Sequence, residues 1–242
     1  MEQAHRHHEA AAVAEVGGLA VASAGYRLEP VQTTFPLNRP APFRFTVHGR
    51  AGPEREFDEH GGVQMHLIVV RRDLTGYIHL HPRPAPDGTW ATELLLPDAG
   101  VYRAYADFER GGRQTVLGVD LFVAGAFAPH ELPPPVTDAD DNGYHVELEG
   151  RVHAGAHGKL AYRLSREGSP LSLEPYLGAG GHLVALRQGD LAYLHAHPLA
   201  EQPGRLEFGV AFPTAGAYRL FLQFQHEGRV RTIAHTLVVD GA

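Results

Sequence analysis

His66-Leu-Ile-Val-Val-Arg-Arg-Asp-Leu-Thr-Gly-Tyr-Ile-His-Leu-His-Pro82 has a diverged second copy in this chain. The second copy reads His182-Leu-Val-Ala-Leu-Arg-Gln-Gly-Asp-Leu-Ala-Tyr-Leu-His-Ala-His-Pro198. Each copy is a short apolar run, a polar turn and a second run ending in His-X-His-Pro, which is the signature of a β-hairpin. His66, His79 and His81 recur as His182, His195 and His197 at one constant offset of 116 positions. Side chains alternate along a strand, so His79 and His81 point the same way. A hairpin register that sets His66 opposite either of them puts all three imidazoles on one face, and a one-residue slip would undo this.

Three neutral imidazoles from two neighbouring strands suit a borderline divalent ion such as Zn(II) or Cu(II), with a fourth position left open. An isolated His-X-His is more often an ordinary hydrogen-bonded pair. Retention of all three histidines beside the changes Ile78 to Leu194 and Leu80 to Ala196 favours a ligand set, so one metal ion is expected in each half. His60, six residues before His66, is a further candidate for the first site, where the second half has Tyr176. Met65, replaced by Gly181, offers a thioether in the first half only. Asp107 and Gln223 occupy matching positions on a later strand and are candidates to support the ligands. His48, His130, His145, His153, His157 and His235 have no repeat partner and are expected at the surface or in local hydrogen bonds.

The repetition extends beyond the hairpins. Pro213-Thr-Ala-Gly-Ala-Tyr-Arg219 echoes Pro97 to Arg103, and Phe224 echoes Phe108. Each half holds about seven short alternating strands in roughly 100 residues without a convincing helix, the pattern of an immunoglobulin-like sandwich. The expected fold is therefore all-β, with tandem immunoglobulin-like β-sandwiches related by internal duplication. The divisions expected are a disordered histidine-containing tail at 1–16, a first sandwich with a metal site at 17–127, a Pro/Asp-rich linker at 128–141, and a second sandwich with a metal site at 142–242. Tyr102 and Tyr218, each after an Ala-Gly corner or its counterpart, are expected to bond back to the backbone.

Composition narrows the function. With 242 residues and 43% apolar content, the chain can bury two cores. A net charge of −7 and no long basic run argue against nucleic acid as a partner. Absence of cysteine excludes disulfides, thiolate metal sites and cysteine nucleophiles, and fits an extracytoplasmic protein. No run of about 18 apolar residues exists to span a membrane. Ala10 to Gly25 is mildly apolar but carries Glu15 and follows no basic segment, so it is a poor export signal.

The phrases Met65-His-Leu-Ile-Val-Val-Arg-Arg-Asp-Leu-Thr-Gly76 with Leu80-His-Pro82, and Tyr176-Leu-Gly178 with Gly181-His-Leu-Val-Ala-Leu-Arg187 through Leu194-His-Ala-His-Pro198, resemble a group of bacterial proteins from high-GC genomes described as secreted or heavy-metal-associated. The domain is also similar to immunoglobulin-like modules, YtkA-like among them, of bacterial metal and copper handling. The likeness runs from about Gly17 onward. It implies an extracytoplasmic metal-binding role and carries no established reaction.

The leading expectation is thus a copper or zinc protein that holds one divalent ion per domain through three histidines, for extracytoplasmic sequestration, delivery or sensing. Delivery would add a metal-transfer partner protein. The runner-up is a metal-dependent enzyme that uses the open coordination position to activate water. A structural or adhesive tandem sandwich with incidental histidines is the third reading.

Overall fold

A computed structural model describes residues 16–59, 62–196 and 198–241. The chain is all-β, with no helix among the described residues, and it forms two β-sandwiches of the same design. The first pairs a six-stranded sheet built on Tyr26–Pro30, Ala41–Gly49 and Thr89–Leu94 with a five-stranded sheet. In the latter the strand order is Thr34–Phe35, Arg113–Val123, Gly100–Arg110, His66–Arg71 and Ile78–Leu80. The second domain repeats the plan, with a six-stranded sheet around Tyr144–Glu149, His157–Arg166 and Arg205–Ala211. Its partner is a four-stranded sheet ordered Tyr193–Ala196, His182–Arg187, Gly216–His226 and Arg229–Val239.

Alternation along each strand selects the core. Phe43, Phe45, Val47 and Trp90 from one sheet meet Leu67, Val69, Tyr102 and Leu117 from the other in the first domain. Tyr144, Leu160, Tyr162 and Phe208 meet Leu183, Ala185, Leu220 and Phe224 in the second. The corner tyrosines are as expected: Tyr102 Oη donates to the Asp98 carbonyl at 2.9 Å, and Tyr218 Oη to that of Thr214 at 2.9 Å.

The alternate residues of the same central strands face neither core nor solvent. Ile68, Val70 and Tyr105 pack against Val184, Leu186, Leu191, Tyr193 and Phe221 in a third apolar cluster that joins the two domains. Every residue of His66–Arg71 is buried as a result. The packing is reciprocal: Tyr77 stacks on Phe221 at 4.2 Å between ring centroids, and Tyr105 lies 4.9 Å from Tyr193. Tyr193 and Phe221 are the repeat counterparts of Tyr77 and Tyr105. Fully burying a large apolar side chain contributes roughly 1.5–3 kcal/mol, so this cluster holds the sandwiches in one body, inner sheet against inner sheet.

Two expectations change. Asp138–Asp141, placed in the linker at 128–141, instead forms an edge strand antiparallel to Tyr144–Glu149. Asn142 and Gly143 both take positive φ, 50° and 83°, which is the turn an Asn-Gly pair makes between hairpin strands. The acidic residues lie on an exposed edge that needs no apolar face. His235, expected at the surface or in local hydrogen bonds, is buried, 5.6 Å from Tyr162. The tail expected at 1–16 lies outside the described residues, except for Val16.

Candidate metal centre between the domains

The hairpin register decides where the histidines go. Leu67 pairs with Leu80, Ile68 with His79 and Val69 with Ile78. His66, Ile68, His79 and His81 therefore share the face opposite the first core, as the expected register requires. The hairpin turn is fixed by Arg71, whose guanidinium donates to Asp73 at 3.0 and 2.6 Å. The second hairpin has the same register, Leu183 with Ala196 and Val184 with His195, and Arg187 grips Asp190 at its turn.

In the first domain the ligand atoms of His66, His79 and His81 all lie within 4.8 Å of one another. His66 Nδ1 is 2.9 Å, and His81 Nε2 3.2 Å, from His79 Nε2. Those separations are close to the roughly 3.3 Å between nitrogens on a tetrahedral ion with bonds of 2.0–2.1 Å. His79 Nδ1 lies 2.6 Å from Gln223 Oε1. The Gln223 amide Nε2 donates to Thr232 Oγ1 at 3.0 Å, so its oxygen faces the ring and accepts from it. Nδ1 of His79 then carries the proton, and the Nε2 lone pair points into the cluster.

Burial keeps these rings neutral. It pushes His66 far below the usual histidine range, aided by the neighbouring imidazoles. His79 is pushed down to about 3 by burial, opposed by its bond to Gln223, and His81 is lowered for the same leading reason. Neutral imidazole is the form that binds a metal.

Two histidines of the second hairpin do not lie at a distance from this cluster. His182 and His195 face the first triad across the interface: the His66 ring is 5.2 Å from His195 and 6.1 Å from His182. The His66 ring is 5.2 and 5.3 Å from its own partners His79 and His81. His195 Nδ1 donates to Asp107 Oδ2 at 2.9 Å. The same carboxylate accepts from Tyr193 Oη at 2.9 Å and from Gln114 Nε2 at 2.8 Å. Burial lifts the Tyr193 phenol well above its usual range, which keeps it a donor. His182 Nε2 donates to the Tyr176 carbonyl at 2.9 Å, leaving Nδ1 as its basic nitrogen. His60 and His197 lie outside the described residues.

Met65 is not placed to bind metal: it is buried in the first core, on the face opposite His66. At the matching Gly181, an added Cβ would come within 2.8 Å of the Gln223 carbonyl oxygen, which accounts for the difference between the halves. Asp107 and Gln223 do bond to candidate ligand histidines, each to one of the other domain. Tyr193, Gln114 and the Tyr176 carbonyl were not expected at the site. The available signals were the repeated Tyr77 and Tyr193 just before His-X-His, and Tyr176 at the position matching His60. A cleft of about 80 Å³ reaches the cluster and is lined by Asp58, Gln64, His66, Asp107, Glu109 and His195.

Comparison with known proteins adds the family. The family described as a domain of unknown function, DUF8832, matches residues 21–125 and again 137–241. None of the curated proteins compared with the chain matches it. Similar solved structures include Salmonella alpha-2-macroglobulin reacted with methylamine, at 12% identity and a TM-score of 0.32, covering 93% of this chain. The chain spans 15% of that protein's length. The Escherichia coli adhesin FdeC is 12% identical with a TM-score of 0.30, covering 92% of this chain and 66% of its own. A two-domain fibronectin type-III segment of chicken tenascin is 10% identical with a TM-score of 0.27, covering 88% and 97%.

Proposed function

The chain belongs to the DUF8832 family as two tandem copies of its domain, and we propose that it is a metal-binding protein. Its three-histidine sites take a divalent ion, copper or zinc: His66, His79 and His81 in one domain, His182, His195 and His197 in the other. The role is sequestration, delivery or sensing of that ion outside the cytoplasm. The observation that carries this reading is the set of contacts made by the His79 ring. Its Nδ1–H is held by Gln223, so its Nε2 meets His66 Nδ1 and His81 Nε2 at 2.9 and 3.2 Å. Packing three neutral rings nitrogen to nitrogen has no hydrophobic rationale, and it is the arrangement an ion with imidazole ligands requires. With no cysteine in the chain and Met65 turned away, an all-nitrogen set favours Zn(II) or Cu(II) over the soft Cu(I).

The test is metal stoichiometry on protein purified without a metal-affinity column. Unsubstituted protein should bind zinc or copper with a Kd in the micromolar range or tighter. His79→Ala with His81→Ala should remove one equivalent, or weaken it at least a hundredfold. Uptake unchanged by the double substitution would exclude these residues as ligands.

A further inference from the structure

Two reciprocal contacts define how the halves meet. His79 of the first domain bonds to Gln223 of the second, and His195 of the second bonds to Asp107 of the first. Gln223 is the repeat counterpart of Asp107, as His195 is of His79. Register places each supporter directly across from a ligand of its own domain, Asp107 beside His66 and Gln223 beside His182. His79 and His195 thus each bond through Nδ1 to a side chain of the opposite domain.

The distances do not separate two sites. His66 is as near to His195 of the opposite domain as to His79 of its own, 5.2 Å in each case. His182 is 6.3 Å from His79 and 5.7 Å from His195. The cleft that opens onto the cluster is lined by His66 and His195 together, with Asp58, Asp107 and Glu109 along its walls. Its acidic walls favour cations over anions, and its volume of about 80 Å³ admits an ion with a water or two.

Resting on the metal-binding reading above, we infer that His66, His79 and His81 of the first domain and His182 and His195 of the second form one two-ion centre across the domain interface, in which each domain sets the tautomer of one of the other's ligands. The supporters differ in charge: His195 is backed by a carboxylate and His79 by a neutral amide. A carboxylate behind a ligating imidazole raises its basicity, so the half containing His195 takes the first divalent ion. The second ion enters beside an existing positive charge and binds more weakly.

Cu(II) titration of the full-length protein followed by electron paramagnetic resonance tests this. One equivalent should give the spectrum of an isolated copper ion with nitrogen ligands. A second equivalent should bind at least tenfold more weakly and give a broadened or diminished signal with a half-field transition, because the ions are close enough to couple. Gln223→Leu should weaken one of the two equivalents about 10- to 100-fold, although the His79 triad belongs to the other domain, and Gln223→Glu should restore it. Two equivalents whose spectra simply add would overturn the shared centre and leave metal binding standing. Normal affinity in a folded Gln223→Leu protein would overturn the crossed support. No uptake at all would remove the metal-binding reading, and this inference with it.

Discussion

His79 shows how much one ring's protonation state has to say about stability. Folded, it is neutral with its pKa pushed down to about 3, and His66 and His81 are lowered as well. In the unfolded chain each histidine takes a proton near about 6.5. Below that pH the unfolded state binds more protons than the folded one, so stability rises with pH across the window. For metal-free protein, stability should be flat with respect to these rings above about pH 7.5. It should fall as pH drops from about 6.5 towards 3, by up to about 1.4 kcal/mol per pH unit for each histidine. Urea midpoints at pH 8, 6 and 5 measure it. His79→Gln with His81→Gln should flatten part of the slope, and an unsloped wild-type profile would contradict the burial of these rings. Among the residues, the clustering of His66, His79 and His81 was legible from spacing, and the contacts of Asp107 and Gln223 with histidines from their matched positions. Which domain each supporter serves was not, because alternation specifies a face and says nothing of what packs on it.

At the scale of the element, the His66–Arg71 strand carries apolar side chains on both faces, Leu67 and Val69 on one, Ile68 and Val70 on the other. An antiparallel strand with one solvated face reads apolar on alternate residues only. The unbroken apolar run was therefore the available sign of a second buried face, and Val184 with Leu186 repeats it. The register was open between His79 and His81 as the residue facing His66, whereas the sandwich, the hairpin and the corner tyrosines followed from period and turn chemistry alone. Asp138–Asp141 did not, since its composition is that of a linker and only the Asn-Gly turn after it betrays a hairpin. Coupling across the second face is measurable: a double-mutant cycle of Tyr77→Leu and Phe221→Leu in denaturant unfolding should give an interaction energy of about 0.5–1.5 kcal/mol, as stacked aromatics do. A value near zero would mean that the stacked rings contribute nothing to domain packing in solution.

For the whole molecule, the apolar cluster between the inner sheets makes the domains thermodynamic neighbours rather than beads on a string. Calorimetry of the full chain should therefore show one unfolding transition. An ion bound only by the folded form adds RT ln(1 + [L]/Kd), about 2.7 kcal/mol at a hundredfold excess over Kd. Saturating zinc should accordingly raise that single transition by several degrees, and two transitions, of which only one responds to metal, would show domains that unfold separately.

The pairing of Tyr77 with Phe221 and of Tyr105 with Tyr193 has the form of an isologous contact, in which one surface meets a copy of itself. A single domain of this kind would present the same face to its twin and close as a homodimer with two identical supporters. Joining the copies in one chain holds them together at high effective concentration, independent of how much protein the cell makes. It also lets the copies diverge: a symmetric pair must carry the same residue at both positions, whereas this chain carries aspartate at one and glutamine at the other.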